Sequence, residues 1–266
     1  MASRAADGRR IGQGSGPDLA AGVTPVRAAW ADARVVFEQD GVVILPGNAN
    51  DPESLVQAAA RLLGSSLREL FPIRPTVSDE SGPLALHSDG AYVVTDVHGR
   101  TAAIRHPDED YLFMLSSQHA SEGGQTFLID GYTFIDRLAV EDAELYESVT
   151  TVDVDFFGAW TAPPRGVPTT PRICPLVEYT RRGRRVVRAG DYASPAPREP
   201  LRSVHDELLD RYIDVLAAQA SAAPRTLLES GDILAVDNYR FLHGRDGFTG
   251  RRALHVMTAL STGAFY

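Results

Sequence analysis

The sequence predicts a mainly β fold, an antiparallel barrel or jelly roll with flanking helices. Two observations carry that expectation. Strand-like apolar runs bounded by turn residues fill the chain beyond Pro83, and helices interrupt them too rarely for the regular strand–helix alternation of a doubly wound α/β sheet. A third sets the scale: 266 residues, 44% of them hydrophobic, suit one large domain with one core better than two domains of ordinary size.

In chain order, residues 1–24 are Gly, Ala, Arg and Ser with almost no bulky apolar side chains. Such a composition cannot offset the entropy of ordering, so it predicts a disordered tail before a single domain over 25–266. From Pro25, Val26, Trp30, Val35 and Phe37 define a helical stretch ending near Asp40-Gly41, and Val42 to Leu45 read as a short strand. A second helix starts at Asp51, which can cap it, with Pro52 in its first turn and Gly64 at its close. Strands are then expected at 84–90, 111–118, 126–130, 150–158, 172–179, 184–190, 231–238 and 251–260. Two helices interrupt them, Gly131 to Leu138 continuing to Tyr146, and Leu201 to Ala220, where Val204, Leu208, Leu209, Tyr212 and Leu216 share one face.

Composition excludes several function classes. The net charge is −9, from 26 basic and 35 acidic residues, and the arginines are scattered, so no basic footprint for nucleic acid exists. No apolar run reaches the roughly 18 residues of a membrane span, and residues 1–50 lack the charged start, apolar middle and cleavage site of a signal peptide. A cytoplasmic enzyme with no membrane partner is expected; oligomeric state is not legible. Cys174 is the only cysteine, which excludes an intrachain disulfide and any multi-thiolate metal site. A metal would sit on His and carboxylate.

His87-Ser88-Asp89 offers that pair. Two residues apart on an extended segment, both side chains leave one face and can converge on one ion. His243, following the strand at 231–238, completes a set of two histidines and one carboxylate, the facial triad of non-haem iron, which leaves coordination positions open for co-substrate and dioxygen. Nine residues past His243 stands Arg252, heading an apolar strand, where a guanidinium is costly to bury without a carboxylate to match its fork. An acidic co-substrate on the metal would supply it.

With these stretches on the page, LALHSDGAY (84–92), EGGQTFLIDGY (122–132) and GDILAVDNYRFLHGRDGFTGRRAL (231–254), the chain resembles the taurine dioxygenase and clavaminate synthase-like family of iron(II), 2-oxoglutarate-dependent oxygenases. The resemblance implies a double-stranded β-helix (jelly-roll) core, with iron(II), 2-oxoglutarate and O2 acting on a small-molecule substrate. It makes His87, Asp89 and His243 the iron ligands, Arg252 the anchor for the distal carboxylate of 2-oxoglutarate, and Thr126 a second contact to it. Arg251 is the alternative anchor, because one residue of register decides which arginine points inward. Taurine dioxygenase has a further arginine four places beyond its anchor for the sulfonate; here that place is Val256, which speaks against a sulfonate. The related halogenases carry a small residue at the carboxylate position, so Asp89 favours hydroxylation, with desaturation or ring formation open.

The remaining histidines, 98, 106, 119 and 205, read as solvated or capping, and His255 should face away from Arg252 on the same strand. Asp237, Asn238 and Arg245 are expected to hold His243 in orientation. The segment from Asp153 to Pro171, with two acids, three large aromatics and four prolines, is expected to fold over the mouth as a lid whose Asp153 or Asp155 receives an amine, favouring an amino acid or an amino-acid-derived metabolite. Two alternatives use the same residues: a zinc hydrolase or isomerase, which leaves Arg252 and Thr126 without a role, and a catalytically silent ligand-binding barrel.

Overall fold

The computed structural model describes residues 19–89, 91–97, 100–106, 109–156, 173–190, 193–196 and 202–264. In chain order the elements are β1 (Gly22–Val23), α1 (Ala33–Asp40), β2 (Val42–Leu45), α2 (Glu53–Leu63), β3 (Leu67–Leu70), β4 (Arg74–Ser81), β5 (Leu84–His87), β6 (Ala91–Val97), β7 (Arg100–His106), β8 (Tyr111–Gln118), β9 (Glu122–Gly123) and β10 (Thr126–Asp130). There follow α3 (Gly131–Glu141), α4 (Ala143–Thr151), β11 (Val154–Asp155), β12 (Ile173–Cys174), β13 (Val177–Tyr179), β14 (Arg185–Val187), β15 (Ser194–Pro195), α5 (Arg202–Ala222), β16 (Ile233–Asp237), β17 (Phe241–Arg245) and β18 (Phe248–Ser261).

Two antiparallel sheets form the jelly-roll core. The larger runs β2-β16-β8-β18-β3, with β4 and β9 also on β18; the smaller runs β1-β10-β17-β5. Three apolar clusters show how they pack. Val42, Ile44, Leu112, Leu234 and Val236 of the larger sheet meet Leu128 and Phe241 of the smaller one in the interior. The alternate residues Val43, Leu45, Phe113 and Ile233 pack outward against Phe37 of α1 and Leu55 and Leu62 of α2. On the far side, Phe127, Ile129 and Leu242 pack against Phe134 of α3, Leu145 of α4 and Tyr212 of α5. These strands are covered on both faces, so their sequences are continuous apolar runs instead of alternating ones. At roughly 25 cal/mol per Å² of apolar area, such doubly covered strands supply most of the driving force for folding.

Five expectations need correction. Residues 19–24 are packed and not part of a disordered tail: Leu19 and Ala21 are buried and Gly22–Val23 pair with Leu128 and Ile129 of β10, while residues 1–18 lie outside the described residues. Val26 is extended beside β2, its carbonyl accepting from Ile44 N–H at 2.9 Å, so the first helix begins only at Ala33. Among the described residues of the strand expected at 150–158, only Val154–Asp155 are strand, and Thr150 and Thr151 close α4, their hydroxyls donating to the carbonyls of Tyr146 and Glu147. The run at 172–179 is split in two at Pro175, which cannot donate to a ladder. On α5, Val204 is exposed at 44% although it shares the predicted apolar face.

Candidate active site

The turn after β16 and the pairing of β17 with its neighbours create the site. His243 lies directly opposite His87 of β5 and opposite Leu128 of β10 on its other side. Gly244 lets the strands close: a Cβ there would lie 2.4 Å from the Phe127 ring and 2.8 Å from the Leu84 carbonyl oxygen. The two imidazoles end with ring centroids 4.3 Å apart. Asp89, two residues beyond His87, places a carboxylate oxygen 3.6 Å from His87 Nε2, and one ligand atom from each of the three residues falls within 4.8 Å of the others.

Electrostatics prepare this cluster for a cation. The Nδ1 of His87 lies 2.9 Å from the Ala85 carbonyl oxygen; a proton donated there leaves Nε2 with its lone pair toward the cluster. Burial alone would raise the Asp89 carboxyl, but in the ion-free cluster the proton-bearing imidazoles of His87 and His243, together with Arg74, hold it well below the usual carboxylate range, and a bound cation would take the place of those imidazole protons. It is therefore ionised wherever the protein is folded at neutral pH. Two imidazole nitrogens and one carboxylate fit a divalent first-row metal such as iron(II).

Asn238 fixes Asp89 from behind. Its amide oxygen accepts from Asp89 N–H at 3.1 Å, and its Nδ2 donates to the carbonyl oxygens of Asp89 and Glu109, both at 2.8 Å. Sequence reasoning tied Asn238 to His243; the structure ties it to Asp89. Asp237 instead holds the turn, accepting from Tyr239 N–H and from Arg184.

The triad opens into a cavity of about 430 Å³. Across it, β18 turns Arg252, Leu254 and Val256 inward, while Arg251 is exposed and lies 3.8 Å from Asp79. Alternation along the strand thus puts Arg252, not Arg251, in the cavity. His255 faces away, as expected, within 3.0 Å of the Ser117 hydroxyl. Burial, and then the neighbouring Arg245, push the Arg252 guanidinium down to about 10, which marks a cation placed where solvent does not fully support it. Buried Thr126 also lines the cavity, opposite Arg245 in the β10–β17 register. It follows a turn in which Gly123 and Gly124 both have positive φ, 72° and 73°, and a Cβ on Gly123 would sit 2.1 Å from the Gly247 carbonyl oxygen.

Arg245, read from the sequence as a turn residue, lines the cavity too, donating to the carbonyl oxygens of Asp246 and Gly82. Arg74, which no sequence signal singled out, joins it from β4. Asp153 and Asp155 are absent from the described wall of this cavity. The rest of the expected lid, residues 157–171 with Trp160, and His98 lie outside the described residues.

Residues 11–258 match the family described as Taurine catabolism dioxygenase TauD, TfdA family. The chain belongs to that family. No curated protein sequence matches it. Among solved structures the dioxygenase is similar to PvcB from Pseudomonas aeruginosa, with 19% identity, 89% of this chain and 84% of that one covered, and a TM-score of 0.58. It is similar to an asparagine oxygenase solved with Fe(II), 3-hydroxyasparagine and succinate (17% identity, 88% and 78% covered, TM-score 0.55). The non-haem iron oxygenase OrfP, solved with Fe and alpha-ketoglutaric acid, gives 16% identity, 87% and 78% covered, and a TM-score of 0.55. At these identities the likeness establishes the jelly roll of the dioxygenase. Among the described residues no helix is long and apolar enough to cross a membrane.

Proposed function

We propose that the protein is an oxygenase that hydroxylates a small molecule, an amino acid or an amino-acid-derived metabolite, with release of succinate and carbon dioxide. His87, Asp89 and His243 would hold iron(II), and Arg252 and Thr126 would hold 2-oxoglutarate. The observation that carries this reading is one cavity shared by a two-histidine, one-carboxylate cluster and a half-buried guanidinium facing it. A zinc hydrolase needs the first and leaves the second without a purpose. The substrate class draws support from the asparagine oxygenase and from OrfP, which was solved with a dihydroxy-L-Arg and succinate.

Bound iron(II) supplies the coupling of dioxygen to oxidative decarboxylation of 2-oxoglutarate, one oxygen atom entering succinate and the other a substrate C–H bond. The chain does the rest. Asp89 stays ionised, His87 keeps one nitrogen directed at the cluster through Ala85, and Arg252 receives the distal carboxylate in a fork that a carboxylate matches. The Thr126 hydroxyl adds a donor, and Met114, Leu254 and Val256 form a dry wall that keeps water from the reacting centre.

Anaerobic addition of iron(II) and 2-oxoglutarate should give the visible charge-transfer band of the chelate, and air should give oxygen uptake matched by succinate. His243→Ala should lose both. A protein that shows neither, or a His243→Ala variant that keeps the band and full turnover, overturns the assignment in favour of the zinc or silent alternatives.

A further inference from the structure

We propose that Arg184, which lies outside the cavity, is a positioning residue for the metal ligand Asp89: it clamps together the two chain segments whose amide and carbonyl groups seat that residue. This rests on the oxygenase reading above.

The clamp closes the open end of a ladder. The pairing of β8 with β16 stops at Tyr111 and Asp237, where β8 begins and β16 ends. Just past that rung, Asn238 N–H donates to the Asp110 carbonyl oxygen at 2.9 Å, and the Asn238 side chain joins the Glu109 carbonyl to the backbone of Asp89. Segments 109–110 and 237–238 thus form the seat of Asp89, at a place where regular sheet pairing has run out. Arg184 spans them. Its Nη1 donates to the Asp110 carboxylate at 2.5 Å and its Nη2 to the Asp237 carboxylate at 2.6 Å, while its guanidinium lies 4.9 Å from the centroid of the Tyr111 ring and 4.8 Å from that of Tyr239. Other donors fix the two carboxylates from behind: the Ser261 N–H and hydroxyl on Asp110, and the Tyr239 N–H on Asp237.

Charge makes the clamp matter. The Asp110 side chain has no solvent exposure and that of Asp237 has 16%, and Arg184 forms an ion pair with both. Burial raises the Asp237 carboxyl and the charge of Asp110 adds to the rise, with Arg184 opposing them. With the guanidinium gone, two carboxylates would repel one another in a poorly solvated place. Parting of the two segments relieves that repulsion, and it stretches the Asn238 bonds to Glu109 and Asp89. Arg184 itself stands just before β14 in the β13–β14 hairpin, a two-stranded sheet separate from both main sheets. No residue of the hairpin is among the described residues lining the cavity, so the route from Arg184 to the metal runs through Asn238 and not through substrate or 2-oxoglutarate.

The test uses the full chain, anaerobic and saturated with 2-oxoglutarate, titrated with iron(II) and followed by the charge-transfer band, with a thermal melt of each variant. Arg184→Gln should raise the half-saturating iron(II) concentration about tenfold, and Arg184→Lys, a point charge that cannot bridge both carboxylates, should raise it less. In the double variant Arg184→Gln/Asn238→Ala the rise should stay within about twofold of that in Asn238→Ala alone, because both residues act through one link. Arg185→Gln removes the ion pair that the next residue of the same hairpin makes with Asp136, and should leave half-saturation within about twofold of wild type whatever its melt. A change below twofold in every Arg184 variant that folds, with only the melt lowered, would overturn the proposal and leave Arg184 a purely structural residue. Effects that multiply in the double variant, or an Arg185→Gln as weak for iron(II) as Arg184→Gln, would overturn it too, the latter by assigning the loss to a loosened hairpin. No band in the wild-type protein would fail the oxygenase reading itself.

Discussion

Replacing Arg252 by Ala removes the cation that faces the metal cluster across the cavity. That cation is a burden on the fold: burial and the nearby Arg245 push its pKa down to about 10, so the charged form is disfavoured although it persists at neutral pH. A dianion bound there relieves both effects and gains a forked, charge-assisted contact. Truncating one partner of such a contact costs roughly 2 to 4 kcal/mol, or about a 30- to 700-fold rise in the dissociation constant for 2-oxoglutarate. The lower end is expected because the side chain keeps some solvent contact. Titrating 2-oxoglutarate into the anaerobic iron(II) protein and following the charge-transfer band measures it directly. Thermal melts provide a second reading, since 2-oxoglutarate should raise the midpoint of the wild type and much less that of the variant. Arg252→Lys should recover only part of the affinity, having one point charge in place of a fork. Arg251→Ala should change it less than about twofold, because Arg251 is exposed and at 3.8 Å makes only a surface ion pair with Asp79. Unchanged affinity in Arg252→Ala together with a large loss in Arg251→Ala would refute the assignment of the anchor.

Asn238→Ala removes one acceptor and two donated hydrogen bonds that hold the backbone of Asp89 and Glu109, so iron(II) affinity should fall about 10- to 100-fold, as for other groups that orient metal ligands; a metal titration with an unchanged endpoint and affinity would contradict it. Asp130 caps α3 through Tyr132 N–H and binds Arg240 through both carboxylate oxygens, at 3.0 and 2.8 Å. Burial opposes its ionisation, but Arg240, Thr133 and the Tyr132 N–H outweigh it and lower its pKa. A depressed folded-state pKa means stability that is present above the unfolded value near 4 and lost as pH falls through the lower folded value. Asp130→Asn should therefore lose roughly 1 to 3 kcal/mol at pH 7, and the gap between the two denaturant melts should close below about pH 4; a gap that widens in acid would show the sign to be wrong.

Much of this protein was legible along the chain. The runs at 42–45, 111–118, 126–130, 233–237 and 251–260 are read correctly as strands because burial on both faces leaves each an uninterrupted apolar stretch, such as Val42–Leu45, Leu112–Leu115, Phe127–Ile129 and Ile233–Val236, and the helix at 53–63 announces itself by Asp51, Pro52 and Gly64. His87, Asp89, His243 and Arg252, which the fold brings to one cavity, were singled out from residue type and local flanks, since few side chains can ligate a metal and local spacing already puts His87 and Asp89 on one face. What the chain could not announce was pairing. Strand β4, RPTVSDES, is polar and mostly exposed, held by its ladder to β18 and not by an apolar face, so neither the strand nor Arg74 left a mark in the hydrophobic pattern. Leu19 and Ala21 are buried beside Gly22–Val23, which pair with β10, and Asn238 serves Asp89, 149 residues away, and not its sequence neighbour His243. The choice between Arg251 and Arg252 is of the same kind. A single residue of register, set by backbone hydrogen bonds to β4 and β8, sends one guanidinium to solvent and the other into the cavity. Residue types and periodicity decide what each segment can be; hydrogen-bonded register between distant segments decides which side chains meet, and that is a property of the folded sheet alone.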